Sequence, residues 1–195
     1  MKKFSLILIV SVLAVLMLSS CSGKNKDTSA SDSGSIYSDA SYADIKPQDS
    51  DKIMSDISNY TPESGYNFKT SESTVSEGDT YYELTDETSS KELGCVYITS
   101  GSSNTVEIDI YTKECTDSDL AAGLDMAYNA IQSIFPDYTF EKYPEIPLDY
   151  DSVKAVINNN TSQSNSIYSE GLNASVSYEY FPSDGLLNYY IEYKY

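Results

Sequence analysis

The C-terminal end of this chain can fold locally in one way, as a β-hairpin turning at Pro182-Ser183-Asp184-Gly185. Pro presets one φ of such a turn and Gly tolerates the left-handed region. With Phe181 opposite Leu186, Tyr180 meets Leu187, Tyr178 meets Tyr189 and Val176 meets Ile191, all on one face. Ser177 with Tyr190 and Ser175 with Glu192 fall on the other face. A slip of one residue would exchange the two faces, so only this register keeps the apolar set together.

A second hairpin is expected from Gly94–Thr99 and Thr105–Thr112, joined around Ser100-Gly101-Ser102-Ser103-Asn104. Val106, Ile108 and Ile110 alternate with Glu107, Asp109 and Tyr111, giving a core face and a wet face. Pairing the aliphatic face with Val96 and Ile98 puts Cys95 and Tyr97 on the polar side. Thr80–Thr85 reads as a further strand, and residues 66–75 as a weak one.

The strongest helical signal runs from Asp117 to Phe135. Leu120, Leu124, Ala127, Ile131 and Ile134 step by four, three, four and three, which draws one apolar stripe that Pro136 closes. Thr116 followed by Asp119 reads as a capping arrangement, with acids at the positive helix end. Shorter helices are expected after Asp49 or Ser50, with Ile53, Met54 and Ile57 inward, and at Asp151–Asn158, with Val153, Val156 and Ile157 inward. The polar stretch from Asn158 to Ser166 is expected to be a mobile loop. Strands cluster and no repeated βαβ alternation occurs, so the fold class is α+β, an antiparallel sheet of hairpins packed on one long and one or two short helices. Residues 50–195 form the single domain of this reading.

Absent residue types exclude whole classes of chemistry. There is no His, Arg or Trp in the 195 residues. A Ser-His-Asp triad, a Cys-His dyad and a His-bearing zinc site are ruled out, and so is the bidentate guanidinium fork. No cofactor, catalytic or metal-ligating set is assigned. The close acidic pairs Asp117/Asp119 and Asp149/Asp151 lack the oxygen-rich loop and mid-loop glycine of a hand-type calcium site, and helix capping explains them. The net charge is −18, and becomes −20 without residues 1–20, which carry two lysines and no acid. Such a chain repels phosphate backbones and anionic headgroups, so nucleic acid is a poor partner.

The N-terminus supplies an address. Lys2 and Lys3 precede an apolar run from Phe4 to Leu18, shorter than the roughly 20 residues a spanning helix needs. Leu18-Ser19-Ser20-Cys21 then resembles the lipobox of bacterial lipoproteins: an aliphatic residue, two small ones and the acylated cysteine. The resemblance implies a signal peptide over residues 1–20 and a diacylglyceryl group on Cys21. Two or more acyl chains tether stably where one binds marginally. It further implies an extracytoplasmic face of the cell membrane or envelope. Residues 21–49, rich in Ser, Asp, Ala and Gly, are expected to be a disordered spacer.

Cys95 and Cys115 remain as an even pair in an exported domain, either a disulfide or two inert thiols. Tyrosine, at 19 residues, is over-used, and Tyr joins a flat apolar ring to a polar tip. Tyr97, Tyr111 and Tyr190, beside Glu107 and Asp109, are the expected ligand surface. These features point to a non-enzymatic binding domain, its partner a protein or a cell-wall glycan. The alternative is a glycan hydrolase working with two carboxylates, though Glu107 and Asp109 are expected on an open surface.

Overall fold

The computed structural model describes residues 47–70, 79–99, 104–139, 145–169 and 174–193. The expected signal peptide, Cys21 and nearly all of the expected spacer lie outside these residues, as do most of the 100–104 turn, Pro144 and the second half of the weak strand.

In chain order the elements are α1 (Ser50–Ser58), β1 (Tyr66–Thr70), β2 (Thr80–Asp86), β3 (Glu92–Thr99), β4 (Asn104–Tyr111), α2 (Asp117–Ile134), α3 (Tyr150–Asn159), β5 (Gln163–Ser169), β6 (Ala174–Phe181) and β7 (Leu186–Tyr193). The strands make one antiparallel sheet in the order β1-β2-β3-β4-β7-β6-β5. The fold is therefore α+β: two meanders, β1–β4 and β5–β7, zipped together where β4 pairs with β7.

Both hairpin registers follow from hydrophobic alternation. Val96 faces Ile108 and Ile98 faces Val106, while Tyr178 faces Tyr189 and Val176 faces Ile191. Gly185 adopts φ +63°, the conformation its turn requires. The β4–β7 seam sets Ile108 beside Tyr189 and Val106 beside Ile191, all four completely buried.

Helix α2 lies on this aliphatic face. Its cap is reciprocal: the Asp119 amide donates to Thr116 Oγ1 (3.1 Å) and the Thr116 amide to Asp119 Oδ2 (2.9 Å). Leu120, Leu124, Ala127, Ile131 and Ile134 are all buried. Gly123 permits the close approach, since a Cβ there would lie 2.8 Å from Ile110 Cγ2. Helix α1 flanks α2 on one side, tied by the Gln48 amide to Ile134 O (2.9 Å) and the Tyr60 hydroxyl to Asp125 (2.8 Å). Helix α3 flanks it on the other, through Lys154 to Asp117 at 2.6 Å. The buried Tyr189 hydroxyl donates to Pro147 O at 2.6 Å, anchoring the segment before α3.

One expectation fails here. Of the stretch expected as a mobile loop, Asn158 and Asn159 end α3, Asn160 caps it in the left-handed conformation, and β5 begins at Gln163. Strand β5 pairs with β6 along its whole length, and its Ile167 is buried, which seats a sequence with few apolar residues. Among the described residues no helix is long and apolar enough to cross a membrane.

Candidate functional site

All three helices pack on one side of the sheet, and among the described residues none covers the other. Alternation sends to that open face Tyr81 and Glu83 from β2, Cys95 and Tyr97 from β3, and Glu107, Asp109 and Tyr111 from β4. Strand β7 adds Asn188, Tyr190 and Glu192.

The antiparallel register arranges these groups in rows across the strands. One row reads Tyr81, Tyr97, Glu107, Tyr190, Ser177. The adjacent row reads Glu83, Cys95, Asp109, Asn188, Glu179. The expected surface residues Tyr97, Glu107 and Tyr190 are thus direct cross-strand neighbours, with Asp109 and Tyr111 following along β4. Tyr190 is 39 % exposed, the one large hydrophobic among the described residues that is openly so.

The centre of the face is less wet than expected. Glu107, Asp109 and Tyr111 are half-buried, and Cys95 keeps only 4 % of its surface. Long neighbours cover it: the Tyr81 hydroxyl donates to Glu92 Oε1 (3.1 Å), and the Tyr81 and Tyr97 rings lie 6.3 Å apart. Tyr97 donates to Asp79 at 2.6 Å. Sequence alternation assigns a side chain to a face, but the depth of that face depends on which strands meet beside it.

Asn188 holds the middle. Its single amide nitrogen donates to Glu107 Oε1 (2.9 Å) and to Asp109 Oδ1 (2.8 Å), and the Cys95 thiol lies 3.9 Å from Asp109 Oδ2. Burial raises the pKa of Glu107, and the neighbouring Asp109 raises it further, against the Asn188 hydrogen bond. Burial likewise raises Asp109, opposed by Asn188 and Cys95. Glu92 is raised by burial despite its bond from Tyr81. The Cys95 thiol is pushed up to about 12, first by burial and then by Asp109. Each of these groups is thereby favoured in its protonated form.

Cys95 and Cys115 are free thiols, so the bridge considered from sequence is not formed. Their positions explain why. Cys95 is on the open face, whereas Cys115 packs against the core and donates to Tyr111 O. The sheet separates them.

Asn188, Tyr81 and Glu92 belong to this cluster and were not singled out from sequence. The polar phase of the last hairpin places Asn188 on this face, but its meeting with Glu107 and Asp109 depends on the β4–β7 pairing, which joins strands about 80 residues apart. Among the described residues no group of three or more His, Cys, Asp or Glu is arranged to hold a metal ion. No protein-family model, characterised protein or solved structure matches the chain.

Proposed function

We propose that this is a lipid-anchored extracytoplasmic lipoprotein whose α+β domain binds a protein or a wall glycan, without catalysis, through the open face of its sheet. The observation that supports the reading best is the row Tyr97–Glu107–Tyr190 across β3, β4 and β7, on the side of the sheet opposite the helices. Half-buried and exposed tyrosines in register supply flat, stiff contact area at little entropic cost. The lipobox resemblance at Leu18–Cys21 supports the tether and the envelope location.

A titration of the exported chain with solubilised wall glycans, followed by backbone amide NMR, tests this. Shifts confined to Tyr97, Tyr111, Tyr190 and their neighbours are expected if a glycan is the ligand. An unmoved spectrum removes the glycan and leaves cross-linking to find a protein partner.

The close carboxylates Glu107 and Asp109 favour a second reading, a glycan hydrolase with one acid kept protonated. That reading requires Glu107→Gln or Asp109→Asn to abolish turnover while binding persists. Wild-type chain that releases no reducing ends from wall glycan excludes it.

A further inference from the structure

The partner's chemistry can be narrowed by asking what this face lacks. It presents Glu83, Glu92, Glu107, Asp109, Glu179 and Glu192, and by register Lys69, opposite Glu83, is the only described lysine on it. The other described lysines are engaged elsewhere. Lys52 pairs with Asp56, Lys154 with Asp117, and Lys91 and Lys113 donate to the carbonyls of Glu114 and Ser183. At the centre, Glu107 and Asp109 share one uncharged donor, Asn188. Two carboxylates so placed repel each other, and a cation arriving beside them would relieve that repulsion and gain from the thinned solvent.

We propose that the open face docks a lysine- or arginine-rich segment of another protein, laid across β3, β4 and β7, its basic side chains against Glu107 and Asp109 and its chain against Tyr97 and Tyr190. This deepens the reading of that face as the ligand surface and rests on it.

Three considerations select a basic polypeptide. The acids are distributed over five neighbouring strands and so span about 19 Å, several times the roughly 5 Å across which the ligands of one calcium ion lie. A partner of like sign is repelled by the chain's net charge of −18. A neutral sugar would stack on the tyrosines yet leave the central charges uncompensated. Basic side chains use both components, pairing with carboxylates and lying over aromatic faces.

The test measures affinity of the exported full-length chain, in neutral detergent, for a twelve-residue Lys-Ser repeat, a Glu-Ser repeat of the same length and a β-1,4-linked tetrasaccharide of N-acetylglucosamine. Amide shifts locate each binding site. The Lys-Ser peptide should bind, move the amides of Tyr97, Glu107, Asp109 and Tyr190, and weaken as salt rises. Glu107→Gln with Asp109→Asn should cost it about tenfold, and Tyr190→Ala about threefold. Removing two exposed acids on the helix side, Asp51→Asn with Asp151→Asn, should cost less than about twofold. Equal losses in the two double variants would overturn the proposal, because net charge alone would then be drawing the peptide. Tetrasaccharide binding at the tyrosines without peptide binding there would overturn the basic partner and keep the face as the ligand surface. Amides of the face unmoved by every probe would remove both readings. Should the carboxylate variant fold poorly, Tyr190→Ala, altered at an exposed position, carries the comparison alone.

Discussion

Asp109 carries its carboxylate between the Cys95 thiol, the Asn188 amide and the Glu107 carboxylate, with Tyr81, Tyr111 and Glu92 around them and no lysine in the group. Burial raises the folded pKa of both acids, so the folded protein binds their protons more tightly than the unfolded chain does. By linkage the two charges cost no stability below the unfolded values of about 4, and cost progressively more as pH rises through the raised folded values. Glu107→Gln with Asp109→Asn keeps the shape and the oxygens that accept from Asn188. It should therefore stabilise the fold at pH 7.5 by about 1 kcal/mol, a figure reduced for the solvent that still reaches Glu107, and the gain should vanish near pH 3.5. Urea melts of parent and variant at the two pH values check this, and a variant less stable at pH 7.5 would mean that the charges are compensated. The neighbouring Cys95, buried and with its thiol pushed up to about 12, has almost no thiolate at neutral pH. The face of Glu107, Asp109 and Tyr111 was legible in the alternation of residues 105–112, and that of Cys95 in its strand's pairing with them. Their mutual contact was not, because Asn188 arrives from a strand that local sequence does not connect to β4.

Among the elements, those whose partners are near in sequence were the readable ones. The hairpin of β6 and β7 and that of β3 and β4 have the registers their apolar residues dictate, and α2 has its stripe and its cap. Strand β5 was hidden because its seven residues carry one aliphatic side chain, Ile167, and the order of the two meanders was hidden because no short-range rule sets β4 beside β7. Where helix meets sheet, small residues mark the contact. A Cβ on Gly94 would stand 2.4 Å from the Asp109 carbonyl oxygen and 3.1 Å from Met126 Cε, so it would press on backbone from β4 and on a side chain from α2 together. Backbone in a central strand cannot yield as a side-chain end can. Gly94→Ala should destabilise by about 2 kcal/mol or more despite the strand propensity it gains, with wild-type-like secondary structure by circular dichroism. A thermal midpoint unchanged from the parent would show that β3 and β4 can part at that position at no cost.

At the scale of the whole molecule, the proposed tether and the proposed surface depend on each other. Without residues 1–20, a chain of net charge −20 bearing an acidic, tyrosine-lined face would be held away from an anionic membrane by charge and held to it by acyl chains alone. Cys21→Ser removes the acceptor sulfur and leaves every described residue untouched. Cells grown with labelled palmitate should incorporate it into the parent chain and not into this variant, and the variant should move from the membrane fraction to the soluble one. The variant domain should also keep the parent's unfolding midpoint, since no residue of the sheet or the helices has changed. Label retained in the variant would place the acyl chain elsewhere. A variant that stays with the membrane without label would mean that a partner bound to the domain, or an uncleaved apolar leader, holds it there. Adding purified Cys21→Ser chain that lacks residues 1–20 to isolated, opened membranes separates those two causes, because only a partner can then hold it there.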